Sequence, residues 1–199
     1  MLRIGVIALQ GDVSEHVLAM ERALQGKGEV QAVRTPGIIP GCDGLVLPGG
    51  ESTTISKQLA SSEMAEELKK AVYAGVPLLA TCAGLVLVSR EIEGEMRVKP
   101  LGLMDTRIGR NAFGPQRESF EADLDVKGFD RPYRAVFIRA PAIVRVGEGV
   151  DVLARVGENI VAARQNSIMA LAFHPELTDD LRFHDIFLKM LKERAISGG

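Results

Sequence analysis

Cysteine and histidine are scarce in this chain: 2 cysteines and 3 histidines in 199 residues. Cys42 and Cys82 are too few to form the framework of a disulfide-stapled secreted domain, so a reducing cytoplasm is expected. A single bridge between them stays open at this point, and the plain reading of Cys42 is a small buried hydrophobe. With so few histidines, and none close to a cysteine, no transition-metal site is expected. No apolar run reaches the ~20 residues of a membrane-spanning helix, and the N-terminus lacks the order of a signal peptide. Charge of one sign is also missing: 24 basic residues stand against 26 acidic ones, interspersed, for a net charge of −2. A nucleic-acid surface would show a basic stripe. Small molecules and proteins are the expected partners. Internal repeats, low-complexity tracts and linkers are lacking too.

Apolar residues make up 46% of the chain, and its length suits one domain over residues 1–199, large enough to bury a core without disulfides or metals. The first half alternates. "LRIGVIAL", "EVQAVR", "DGLVLPGG" and "VPLLAT" read as strands buried on both faces. Between them, "DVSEHVLAMERAL" has helical spacing, with Asp12 or Ser14 as a cap. "TTISKQLASSEMAEELKKAVYAG" reads as two helices broken near Ser61 and Ser62. "GLVLVSREI" reads as a further helix. This is the pattern of an α/β fold with a mostly parallel sheet. The second half has short strand patterns separated by turn signals, an antiparallel extension. "DDLRFHDIFLKMLKERA" closes the chain as an amphipathic helix.

In "ATCAG", Cys82 sits where a strand ends and a helix begins. A nucleophile on such a turn needs strained backbone and small residues on either side, here Ala80 and Gly84. The helix start would favour thiolate, and the Ala83 N–H would donate to an oxyanion. A buried core cysteine is the competing reading.

A nucleophile needs a base, and "AFHPEL" offers His174 after an apolar strand. In extended chain, residues i and i+2 share a face, which brings Glu176 to the same side to orient the imidazole. The competing reading is the start of a surface loop. His16 and His184 lie among charged neighbours on helical segments and are expected to be solvated. "LVLPGGESTT" runs a strand into glycines and a helix start, suited to an anion or an oxyanion, or simply a tight turn with a capped helix. Arg110 in "GRNAFG" and Arg139 in "FIRAP" are suited to pairing with a carboxylate, although most arginines are merely solvated.

Together, "LQGDVSEH", "LPGGESTT", "TCAG", "RNAFG", "FIRAP" and "FHPEL" resemble, in order and along the whole chain, the glutaminase subunit of the two-component pyridoxal 5′-phosphate synthase. That family is a class I, triad-type glutamine amidotransferase. The resemblance implies a flavodoxin-like three-layer α/β sandwich and hydrolysis of L-glutamine to glutamate and ammonia through a thioester. It implies Cys82 as nucleophile, His174 as base and acid, and Glu176 as its orienter. Gly50, Glu51 and Ser52 become the glutamine-binding loop, with Arg110, Ile138 and Arg139 as further substrate contacts and Gly50 with Ala83 as the oxyanion donors. No cofactor or metal is implied. The implied partner is a (β/α)₈ synthase subunit in a twelve-plus-twelve complex, without which the glutaminase is poorly active. "LQGDVSEH" belongs to the segment presented to that partner. The chain departs from the broader class at Ala80, where glycine is usual. No role is assigned to residues 94–105. The rival readings are a cysteine-elbow hydrolase, a redox-responsive thiol protein, and a binding module without catalysis.

Overall fold

The structure is a computed structural model that describes residues 1–94, 97–109, 112–114 and 118–197. Its strands are β1 (Leu2–Ile7), β2 (Gly28–Val33), β3 (Gly44–Leu47), β4 (Leu78–Thr81), β5 (Ser89–Ile92), β6 (Met104–Gly109), β7 (Ser119–Leu124), β8 (Tyr133–Ile138), β9 (Ala142–Val146), β10 (Asp151–Val156), β11 (Asn159–Gln165) and β12 (Ile168–Leu171). The helices are α1 (Val13–Leu24), α2 (Ser52–Ala60), α3 (Met64–Tyr73), α4 (Ala83–Val88) and α5 (Arg182–Ser197).

Ten strands form one sheet in the order β2-β1-β3-β4-β12-β11-β9-β6-β5, with β10 on β11, while β7 and β8 make a separate hairpin. From β2 to β12 every pairing is parallel. Strands β3, β4 and β12 are four-residue runs buried at every position, as expected where helices cover both faces. The step from β1 to β2 runs one way along the sheet and the step from β3 to β4 runs the other way. With right-handed crossovers, α1 and the α2–α3 pair therefore fall on opposite faces, which makes three layers. The reversal between β1 and β3 opens a crevice at the carboxyl ends of the strands, the usual ligand position in such sheets.

Beyond β12 the sheet turns antiparallel through β11, β9 and β6, as the turn-rich second half predicts. Two elements differ from expectation. The helix predicted over "GLVLVSREI" stops at Val88, where the Ser89 hydroxyl donates to the Val86 carbonyl at 2.7 Å. The following residues pair with β6 as strand β5 instead. Strand β9 has no counterpart in the sequence pattern. Both depend on distant partners rather than on local periodicity.

Residues 101–103 run along the end of α4, with the Leu101 and Leu103 N–H groups donating to the Leu87 and Val88 carbonyls at 2.7 and 2.9 Å. This strap fixes the C-terminal end of α4. Cys42 is buried and both cysteines are free thiols, which closes the question of a bridge. Among the described residues no helix is long and apolar enough to cross a membrane.

Candidate active site

Strand β4 runs straight into Cys82, and α4 begins at the next residue. Cys82 has φ 49° and ψ −103°, a conformation that costs a non-glycine residue ~1–3 kcal/mol and persists only where its surroundings impose it. Those surroundings are identifiable. The Cys82 N–H donates to the Leu171 carbonyl of β12 at 2.8 Å. A Cβ at position 84 would lie 2.1 Å from the Leu47 carbonyl oxygen of β3, so only glycine lets the turn press against that strand. Ala80 is fully buried and pairs with both Leu47 and Ala170. Its methyl is accommodated without loss of the elbow. The thiol is nearly buried and donates to the Ile138 carbonyl at 3.8 Å. Helix α4 has only six residues, so its terminus offers a weaker field than a full-length helix would.

His174 follows β12, its N–H bound to the Val136 carbonyl at 2.9 Å. Pro175 then opens a 3-10 turn over Pro175–Leu177. This turn, and not extended alternation, brings Glu176 back under the ring: His174 Nδ1 and Glu176 Oε1 are 2.7 Å apart, both side chains buried. A second carboxylate, Asp12, approaches the same nitrogen, its Oδ2 3.3 Å from Nδ1. Burial disfavours a charged ring here, but Asp12, Cys82 and Glu176 overrule it and push the His174 pKa up to about 12. Asp12 is correspondingly held below the ordinary carboxylate range by its contact with His174. His174 Nε2 is buried and has no hydrogen-bond partner among the described residues, which leaves it free for chemistry.

Gly49 shows how tightly these groups converge. A Cβ there would lie 2.8 Å from His174 Cε1, 3.0 Å from Asp12 Oδ2 and 3.3 Å from Cys82 Cβ. Imidazole, carboxylate and elbow thus surround a single point that only a glycine leaves clear.

The next residue, Gly50, has φ 146° and packs against Gln10 and Gly11. The Glu51 N–H donates to Gln10 Oε1 at 2.6 Å. The Glu51 carboxylate caps α2, accepting from the Thr53 and Thr54 N–H groups at 3.2 and 2.8 Å and from both hydroxyls. The Thr53 hydroxyl is foremost among the bonds that bring its pKa down to about 2. The cap of this helix is therefore Glu51, whose backbone N–H and carbonyl are also engaged, by Gln10 and by the Ile55 N–H.

A cavity of about 590 Å³ lies over Cys82 and His174, lined also by Gly50, Glu51, Ser52 and Arg139. That is the size of a small-molecule site. Ala83 and Ile138 complete the wall. Arg139 has φ 45°, and its N–H donates to the Glu118 carbonyl at 2.6 Å. Arg110 lies outside the described residues. Asp12, His174 and Glu176 present ligand-type atoms within 4.8 Å of one another. A Nδ1–Oε1 distance of 2.7 Å is a hydrogen bond, shorter than the ~3.3 Å between neighbouring ligands of a tetrahedral zinc.

Three residues stand differently from the sequence reading. Asp12 is the residue before α1 but makes no side-chain cap, its carboxylate being turned to His174 instead. His16 and His184, expected to be solvated, are fully buried. The spacing of Asp12 and His16, four residues apart at a helix start, is the available signal, since it puts both on one helical face.

A family model described as the SNO glutamine amidotransferase family matches residues 6–193. The chain is 63% identical over 189 residues to the pyridoxal 5′-phosphate synthase subunit PdxT of Methanothrix thermoacetophila, covering 95% of this chain and 100% of that protein. It is 55% identical over 195 residues to the protein of the same name from Methanosarcina mazei, covering 94% and 97%. A crystal structure of a glutamine amidotransferase, 44% identical, matches with a TM-score of 0.86 over 95% of this chain and 98% of that one. A glutamine amidotransferase of Thermotoga maritima, 11% identical with a TM-score of 0.63 over 98% and 92%, shares the fold.

Proposed function

The chain belongs to the SNO glutamine amidotransferase family, and on that basis we propose that it is the glutaminase subunit of a pyridoxal 5′-phosphate synthase. It hydrolyses L-glutamine to L-glutamate and ammonia and works with a synthase subunit that consumes the ammonia. We further propose that residues 1–199 act as one amidotransferase domain in the cytoplasm. The partner has a (β/α)₈ fold, and the assembly is twelve plus twelve.

Cys82, His174 and Glu176 are the triad in this proposal. The Cys82 sulfur, its proton already carried by the His174 imidazolium, attacks the side-chain amide carbon of glutamine as the thiolate. The Gly50 and Ala83 N–H groups hold the negative charge that develops on the amide oxygen. The imidazolium returns the proton to the departing nitrogen as the C–N bond breaks, which leaves a thioester and free ammonia. His174 then deprotonates a water, which cleaves the thioester to glutamate and restores the thiolate beside the imidazolium. Glu176 holds Nδ1 throughout. Gly50, Glu51, Ser52, Arg110, Ile138 and Arg139 bind the rest of the substrate in this proposal, the arginines matching its α-carboxylate.

The observation that carries this reading is the strained elbow at Cys82 facing an imidazole already bound to a buried carboxylate at 2.7 Å. Ammonia release from glutamine, asparagine and model peptides, by the chain alone and mixed with a cognate synthase, tests it. The expected result is release from glutamine only, stimulated by mixing. Absence of glutamine turnover in the mixture overturns the reading.

A further inference from the structure

We infer that His16 is a positioning residue of the glutaminase, binding the carboxylate that orients the base to the strand that carries the nucleophile. The inference rests on the glutaminase reading for its role and on geometry for its contacts. His16 is fully buried on α1. Its Nε2 is 2.9 Å from the Thr81 hydroxyl, the residue next to the nucleophile, and 3.2 Å from Glu176 Oε2. The other carboxylate oxygen of Glu176 holds His174 Nδ1. One ring atom thus stands between the two halves of the triad.

The tautomer follows from the surroundings. Burial, outweighing the pull of Glu176, lowers the His16 pKa and keeps the ring neutral, with a single N–H. Nδ1 is buried and has no hydrogen-bond partner among the described residues. A proton there would be an orphaned donor, and the Nε2 lone pair would then face an ionised carboxylate. The proton therefore sits on Nε2. It is bonded to Thr81, and Glu176 Oε2, a buried oxygen with no hydrogen-bond partner among the described residues, lies 3.2 Å from the same nitrogen. Without this N–H, Oε2 loses the partial positive charge 3.2 Å away, and the carboxylate is free to turn away from Nδ1 or to take up a proton. Either change loosens His174 and lowers its affinity for the proton it must give to ammonia. The charged and titratable groups around His16 are Asp12 and Glu15 at the start of α1, His174 and Glu176 after β12, and His184 of α5.

Three variants test this, in the full chain assayed with its synthase. His16→Leu removes the donor while keeping bulk, and His16→Gln returns an N–H near the Nε2 position. His16→Asn places its amide only as far as Nδ1. Expected for His16→Leu is a kcat lower by about 10-fold to 100-fold, KM within about threefold, and an alkaline limb of the pH–rate profile moved about one unit lower. His16→Gln recovers most of both effects and His16→Asn neither. A second readout needs no turnover: the imidazole Cε1–H of His174, titrated by NMR in the resting chain, moves to a lower pKa in His16→Leu and His16→Asn but not in His16→Gln. Failure of the wild type to hydrolyse glutamine would strike the functional reading while leaving this titration to judge His16. An unchanged His174 titration and alkaline limb in His16→Leu overturns the inference. So does equal behaviour of the Asn and Gln variants, which decides the matter even if His16→Leu does not fold.

Discussion

His174 and His184 stand ten residues apart, both buried, and the molecule holds them in opposite states. Around His174, in the crevice at the carboxyl ends of the strands, burial opposes the charge but Asp12, Cys82 and Glu176 prevail and hold the ring protonated. His184, on the α5 face that meets α1, has no hydrogen-bond partner at either ring nitrogen among the described residues. Burial there, reinforced by His16 and Arg22, takes its pKa down to about 3. Desolvation pushes both rings the same way, so the number and charge of partners decides the outcome. A buried histidine becomes chemically useful only where polar groups overrule its desolvation. The crevice meets that condition and the helical layer behind it does not.

The strongest way to sharpen this contrast is Cys82→Ala. It removes the proposed nucleophile but leaves Asp12 and Glu176 on the ring. Glutamine turnover should fall by more than about 1,000-fold, with the thermal unfolding midpoint close to wild type and His174 still protonated at neutral pH by NMR. Retained ammonia release would break the assignment of the crevice as the reactive region.

Removing the partners one at a time should move His174 toward the condition of His184. Glu176→Gln takes away the carboxylate bonded at 2.7 Å and Asp12→Asn the one at 3.3 Å. The first should cost roughly 100-fold to 10,000-fold in kcat. The second, half-exposed and more distant, should cost no more than about tenfold. In both, the alkaline limb of the pH–rate profile moves to lower pH, because the imidazolium that serves as proton donor is less favoured. The raised pKa also means that the charged ring adds stability below its ordinary value near 6.5, a contribution lost as pH rises toward about 12. Denaturant unfolding between pH 7 and 10 should therefore fall less steeply in Glu176→Gln than in wild type. Equal slopes would show that partners do not control the ring.

The proposed triad can be read from sequence because its signals are local. A strand end, a cysteine and small residues at Ala80 and Gly84 describe an elbow without reference to the rest of the chain. "HPE" likewise sets a base beside its carboxylate, although the turn that joins them is 3-10 rather than extended. What stays hidden depends on distant chain. His16 meets Thr81 across 65 positions of sequence, and nothing in "VSEHVLAM" announces that contact. Asp12 looks like a cap until β12 brings His174 beside it. Glu51 reads as a substrate ligand, yet its carboxylate is occupied by α2. Strand β5 escapes for the same reason, since its register belongs to β6.

The smallest expected effect on activity, and the cleanest test of the contrast, comes from His184. A folded-state pKa near 3 against an ordinary value near 6.5 means that the unfolded chain takes up a proton the folded chain refuses. The His184 contribution is fully present above about pH 6.5 and is lost as pH falls toward 3, at up to ~1.4 kcal/mol per pH unit for one proton. His16, also lowered, acts in the same direction, whereas Asp12, Glu51 and Asp180, already held low, lose their contributions only in more acid solution. Between pH 6.5 and 4.5 the acid sensitivity of folding is therefore expected to be dominated by His184, with His16 adding in the same direction. His184→Leu, an apolar residue in an apolar layer, should leave glutamine turnover within about twofold and reduce that slope by about one proton. Urea unfolding at half-unit steps of pH measures it directly. A variant whose acid slope matches wild type would mean that His184 finds a partner in solution, and the two regions would no longer differ in kind.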